Sequence, residues 1–229
     1  MSEGYTFERG YVVYPDAQEG DRAAKAPFQP VPTGPVAVER YFTAEEARRE
    51  DEKLWPKVWC WAGMTHDLPN VGDYFRYDQG KDTFVVIRSA EDRIQAFYNV
   101  CPHRGNFMVY DDFGSIKEGG SLYCKFHGWR FNLDGSVREV KDQHTFPPEA
   151  LCGMKGLKEV RCEVWNSMVF INQDPNAPSL EKCLDVIPEH LANRDFSRMK
   201  IYDEVCGTID ANWKTAIEAF IEFYHSDDT

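Results

Sequence analysis

From residue 57 to about 175 the chain reads as short runs of β-branched and aromatic residues broken by turn formers. K-V-W-C-W, D-Y-F-R-Y, T-F-V-V-I-R and I-Q-A-F-Y-N-V are the first of these, and such runs predict strands. In N-L-D-G-S-V, Asp134 and Gly135 predict a hairpin turn. V-R-C-E-V-W and S-M-V-F-I-N predict two further strands joined at Asn166. Strands so short and regularly spaced predict a small antiparallel sandwich or barrel. The flanks differ. Residues 1–40 are rich in Pro, Gly and charge with scattered aromatics (Tyr5, Phe7, Tyr11, Tyr14, Phe28); they predict an extended arm, with disorder as the competing reading. T-A-E-E is a capping box with Thr43 as N-cap and Glu46 at N3, predicting a helix to about Leu54, stopped by Pro56. After Pro178, S-L-E-K-C-L-D predicts a short helix capped by Ser179, and about Lys200 to Ile209 a strand-like run. N-W-K-T-A-I-E-A-F-I-E-F-Y-H then opens a helix. Its Ile217, Phe220, Ile221 and Tyr224 recur at i, i+3, i+4 and i+7 as an apolar stripe. The expected fold class is α+β. A mainly antiparallel β domain with a leading helix occupies 41–178, after the arm at 1–40, and the start of a second, α+β domain occupies 179–229.

The bulk numbers narrow the functions. A chain of 229 residues holds one large domain or two small ones. Its net charge of −12 argues against nucleic acid or an anionic membrane as partner. No apolar run reaches a membrane-spanning length, and the N-terminus lacks a basic region followed by an apolar one, so neither a span nor a signal peptide is expected. Of seven cysteines, Cys60, Cys152, Cys162, Cys183 and Cys206 show no close pairing. They read as buried reduced thiols of a cytoplasmic protein.

The chemistry concentrates in C-P-H-R-G, with Cys101 and His103, and C-K-F-H-G-W, with Cys124 and His127. A C-x-H pair followed by a C-x-x-H pair is the ligand set of a Rieske [2Fe–2S] cluster, in which two thiolates hold one iron and two imidazoles the other. The alternative is a Cys2His2 zinc site, but zinc sites usually pair Cys with Cys and His with His along the sequence. Each pair follows an aromatic-rich strand, so two loops at a sheet end are expected to close over one centre. Gly105 and Gly128 would let backbone N–H groups approach the sulfurs. A second signature lies in E-F-Y-H. Glu222 and His225, three apart, project from one helix face. Alone, the pair reads first as a solvated glutamate and a terminal histidine suited to the helix dipole. His66, His144 and His190 match no motif and read as surface or satisfied polar residues.

The two ligand pairs, followed by N-W-K-x-x-x-E-x-F-x-E-x-Y-H, resemble the α (catalytic) subunit of Rieske non-heme iron oxygenases of the aromatic-ring-hydroxylating dioxygenase type. The resemblance runs from about residue 40 to the end. It implies that 41–178 is the Rieske domain and 179–229 the start of the mononuclear-iron domain. It implies that His225 is the first histidine of a two-histidine, one-carboxylate Fe(II) site with open positions for O2. It implies that Glu222, where many members have Asp, is an inter-subunit electron-transfer bridge. The second histidine would fall just past Thr229 and the carboxylate far downstream, so the chain is expected to be the N-terminal portion. Twenty residues, 104 to 123, separate the ligand pairs, a few more than the family shows; the surplus is expected in F-G-S-I-K-E-G-G as a surface loop. The resemblance further implies NAD(P)H as indirect donor through a reductase or ferredoxin, and hydroxylation of an organic, aromatic-class substrate. It also implies a homotrimer, or a trimer of α with β subunits. The main rival is a Rieske-type ferredoxin that only carries electrons. A membrane-complex Rieske subunit is disfavoured, since Asn106, Lys125 and Phe126 stand where an extra cysteine pair would be.

Overall fold

The computed structural model describes residues 6–8, 11–13, 34–151, 156–199, 202–203, 205 and 207–221. The chain divides into two compact units, Met1–Arg40 and Tyr41–Thr229. In the first, where an extended arm was expected, β1 (Thr6–Glu8) and β2 (Tyr11–Val13) pair antiparallel as a hairpin. Tyr5, Tyr14 and Phe28 lie outside the described residues.

The second unit opens with helix α2 (Ala44–Lys53), preceded by the short turn of helix α1 (Glu39–Phe42). Thr43 caps α2 as expected, its hydroxyl accepting from the Glu46 N–H at 3.4 Å. The Glu46 carboxylate turns outward to Arg49. A 3₁₀ turn over Trp55–Lys57 carries Pro56 and consumes the residues expected to begin the first strand, so β3 starts at Cys60 (Cys60–Met64).

The strands that follow are β4 (Asp73–Gln79), β5 (Asp82–Ala90), β6 (Arg93–Tyr98), β7 (Phe113–Ser115), β8 (Leu122–Tyr123), β9 (Arg130–Phe131), β10 (Val137–Glu139), β11 (Glu159–Trp165) and β12 (Met168–Asn172). Seven form an antiparallel sheet in the order β3-β12-β11-β6-β5-β4-β7, curved into a half-barrel, and β10-β9-β8 form a smaller sheet. The β11–β12 turn is Asn166-Ser167, both at positive φ (47° and 68°). That conformation matches the twist of paired strands better than an ordinary turn. Part of F-G-S-I-K-E-G-G is not loop: Phe113–Ser115 extends the sheet edge by pairing with Asp73–Phe75. Strand register found a partner for residues that in isolation read as turn formers.

Strand β5 explains the core. Phe84 and Val86 point to one face and Val85 and Ile87 to the other, and all four are fully buried. A strand covered on both sides reads as a continuous apolar run, as T-F-V-V-I does. On one face it packs with Leu68, Phe75, Ala96, Val160, Val169 and Ile171. On the other it packs with Phe97, Leu122, Trp129, Phe131 and the two motif cysteines. Burial of each large side chain contributes about 1.5–3 kcal/mol. The second cluster joins the large sheet to the small one and fixes where the motif loops sit.

After the short α3 (Pro148–Leu151), and beyond Pro178, α4 (Leu180–Leu184) is capped by Ser179, whose hydroxyl accepts from the Lys182 N–H, and α5 (Ile187–His190) follows. The strand expected at about Lys200 to Ile209 is not formed among the described residues there. Helix α6 (Trp213–Glu218) begins at the N-W-K motif but ends in a turn at Ala219–Phe220. Ile217, Phe220 and Ile221 are exposed, and Tyr224 lies outside the described residues.

Candidate metal centre

Two loops carry the chemistry, and their backbones are copies of one turn. The Cys101 N–H donates to the Asn106 carbonyl and the Gly105 N–H to the Cys101 carbonyl (2.8 and 2.9 Å). The Cys124 N–H donates to the Trp129 carbonyl and the Gly128 N–H to the Cys124 carbonyl (2.9 Å each). Each turn closes on a glycine at φ 75° or 76°, left-handed backbone that glycine adopts without penalty. The N–H groups of the two glycines themselves close the turns, so any backbone donor to the sulfurs comes from the residues between each cysteine and its glycine. The backbone N–H groups of His103 and Arg104 act to lower the Cys101 thiol, against the larger effect of burial.

The loops bring all four motif side chains together, sorted by type. Cys101 and Cys124 are buried and close enough to interact through their thiols. His103 and His127 lie outward and half-buried, ring centroids 4.7 Å apart. Burial pushes the Cys101 thiol up to about 11, with a contribution from Cys124. Burial also lowers His103, helped by the charges of His127 and Arg104, so both groups favour their neutral forms.

Two features test whether these residues suit a two-iron cluster. His127 Nδ1 is buried and has no hydrogen-bond partner among the described residues. Buried polar atoms are seldom left so, and an imidazole nitrogen beside His103 is one that could bind a metal. Second, the four side chains sort by type, with Cys101 and Cys124 buried and the His103 and His127 rings 4.7 Å apart. The donors fall two and two, sulfurs inside and imidazoles outside, as a cluster with two ligands per iron requires. Structural zinc needs four donors around one centre. The residues present fit the cluster.

Several supporting residues were not singled out by sequence. Trp129 is fully buried and stacks on His103 at 4.7 Å with planes 5° apart, and Phe146 meets both rings edge-on at about 6 Å. Asn99, also fully buried, accepts from the N–H groups of Met108 and Val109 and donates to the Val109 carbonyl. It therefore ties the base of the first loop. Asn106 Nδ2 lies 3.9 Å from the Cys124 sulfur and 2.9 Å from the Tyr110 hydroxyl. Trp129, two residues after His127, was visible in the motif; Asn99 and Asn106 carry no pattern in one dimension. His66 donates from Nε2 to the Ser197 carbonyl, and His144 and His190 are exposed. Glu222 and His225 lie outside the described residues. No described helix is long and apolar enough to cross a membrane.

Comparison with known proteins agrees with this geometry. A family profile described as "Rieske [2Fe-2S] domain" matches residues 58–161. The carnitine monooxygenase oxygenase subunit of Escherichia coli (strain K12) is 30% identical over 198 residues, 81% of this chain and 50% of that protein. The glycine betaine monooxygenase oxygenase subunit of Pseudomonas aeruginosa (strain UCBPP-PA14) is 30% identical over 176 residues, 76% of this chain and 39% of that protein. The chain spans about half the length, or less, of these curated relatives. Among solved structures, the quaternary ammonium Rieske monooxygenase CntA with γ-butyrobetaine superposes with a TM-score of 0.74 at 27% identity, covering 82% of this chain and 54% of that one. Naphthalene 1,2-dioxygenase from Rhodococcus sp. gives 0.63 at 26%, covering 78% and 41%. These matches run well beyond the cluster-binding domain, and every one named is an oxygenase component. The chain carries a Rieske [2Fe–2S] domain and, over about four fifths of its length, is similar to the oxygenase subunits of Rieske oxygenases.

Proposed function

We propose that this chain is the electron-receiving part of an oxygenase subunit, with Cys101 and Cys124 holding the inner iron of a Rieske cluster and His103 and His127 the outer. The observation that carries this is the sorting of the four side chains, with His127 Nδ1, unpartnered among the described residues, beside His103. When bound, the cluster supplies one-electron storage at a potential raised by its two neutral imidazoles. The chain's residues do the rest. The N–H groups of His103 and Arg104 offset thiolate charge on Cys101, and Asn106 adds a donor near Cys124. Trp129 and Phe146 hold the His103 ring and keep water from its inner face.

The reading extends to residues outside those described. His225 would give one ligand to a mononuclear Fe(II), which supplies O2 activation when bound. Glu222 would bridge that ligand to a neighbouring subunit's Rieske histidine, in a homotrimer or a trimer with β subunits. NAD(P)H would supply electrons through a reductase or ferredoxin, in the cytoplasm, where the free thiols stay reduced. The substrate is a small organic molecule. Aromatic compounds and aliphatic quaternary amines both appear in the relatives' names, and the relatives named for carnitine cover more of this chain than naphthalene dioxygenase.

The test is to purify the protein anaerobically and measure iron, labile sulfide and the EPR of the reduced state. Equal iron and sulfide with a rhombic signal, lost in Cys101→Ser and in Cys124→Ser, is expected. Zinc without sulfide would overturn the reading. In the complete oxygenase subunit, Glu222→Gln should keep both metal centres and lose product, whereas His225→Ala should lose the mononuclear iron alone. Both substrate classes are offered in that assay.

A further inference from the structure

The N-W-K motif lies far in sequence from the cluster loops, yet each of its residues has a defined contact. Asn212 caps α6, its carbonyl oxygen accepting from the Lys214 N–H at 3.0 Å. Trp213 packs on Trp55 at 4.9 Å between centroids and donates its indole N–H to Glu50 Oε2 at 2.8 Å. Lys214 is buried, 7% exposed, and its ammonium meets Glu50 Oε1 at 2.5 Å. The same ammonium lies 5.9 Å from the Tyr41 ring and 5.2 Å from that of Trp213. Tyr41 in turn donates to the carboxylate of Glu218 at the far end of α6.

One carboxylate therefore receives both donors, one oxygen each. Glu50 stands on α2, the helix that leads into the Rieske domain; Trp213 and Lys214 stand on α6, from which the chain runs on to Glu222 and His225. A buried ammonium tolerates no loss of its counter-charge, and an indole N–H fixes direction as well as distance. Both bonds end on one carboxylate of α2, and with the Trp55–Trp213 contact they tie α6 to that end of the chain.

We infer that Glu50 is a positioning residue: by receiving Trp213 and Lys214 on its two oxygens it sets the placement of helix α6, the element that precedes the E-F-Y-H motif in the sequence, relative to the Rieske domain. The functional half of this rests on the reading proposed above; the structural half does not.

The test uses the whole chain with its cluster. Glu50→Gln keeps an oxygen for Trp213 but strands the Lys214 charge. Lys214→Met keeps the apolar stem, and the double variant removes both charges. Hydrogen exchange of the amides in 213–218 is expected to rise at least about tenfold in Glu50→Gln and to return part of the way in the double variant, because two neutral groups suit a buried site better than one unpaired charge. Amides of β5 and the reduced EPR signal should stay as in the parent. Unchanged exchange in Glu50→Gln overturns the inference, as does additive damage without rescue, or loss of β5 protection along with that of α6. In the complete oxygenase subunit, Glu50→Gln should accept electrons from the donor at the parent rate and form less product per electron. Parent-like coupling there would leave Glu50 a stabilising residue and remove its positioning role. A parent protein that binds no cluster would refute the proposed function, while the exchange experiment would still decide the contact.

Discussion

The indole of Trp129 lies flat on the imidazole of His103, centroids 4.7 Å apart and planes 5° from parallel. The two residues come from different loops, so the stack registers one ligand pair against the other. Trp129 is also fully buried, and it accepts the Cys124 N–H on its carbonyl. Trp129→Ala is expected to cost about 3–5 kcal/mol and to lower cluster occupancy. Trp129→Phe, which keeps a plane for His103, should retain the cluster with a changed EPR line shape. Thermal melting and iron per chain check both.

Asn99 is expected to matter as much, although it is not one of the four motif residues. Asn99→Ala leaves the N–H groups of Met108 and Val109 buried without an acceptor, at about 1–3 kcal/mol each. The first loop then loses its base, so iron per chain should fall together with the urea midpoint. A variant that unfolds earlier but binds a full complement of iron would show that Asn99 stabilises the sheet alone.

Asn106 reaches across from the first loop to the sulfur of the second. Donors to sulfur stabilise the reduced, more negative cluster. Asn106→Leu is therefore expected to shift the reduction potential downward while leaving iron content unchanged. Tyr110→Phe, which only frees the Asn106 amide from a competing acceptor, should shift it less. A redox titration followed by EPR reads both.

Asp73 supplies a pH dependence away from the metal site. Hydrogen bonds from Ser115 first, and from Asn70, hold its carboxyl below the usual aspartate value. A depressed carboxyl contributes stability that is complete above its unfolded-state pKa and is lost as pH falls through its folded-state value. Asp73→Ala should cost about 2 kcal/mol at pH 7 and progressively less from pH 4 downward. Denaturant melts at pH 7 and pH 3 test this; equal losses at both would assign the effect to packing.

The motif pairs, the β-rich middle, the Thr43 and Ser179 caps and the start of the N-W-K helix were legible in residue order. Each depends on neighbours within a turn or a strand, where local spacing sets geometry. Phe113–Ser115 was misread for the complementary reason. An edge strand exists only if a partner edge such as Asp73–Phe75 offers its hydrogen bonds. Cys183 was expected to be buried and is exposed, because helix orientation against the sheet, not residue type, sets burial. Folding also brought Asn106 to Cys124, Asn99 to Met108 and Val109, and Glu50 to Lys214 across 164 residues. Amides and carboxylates have no periodicity to betray them, and their partners are chosen by how strands and helices pack.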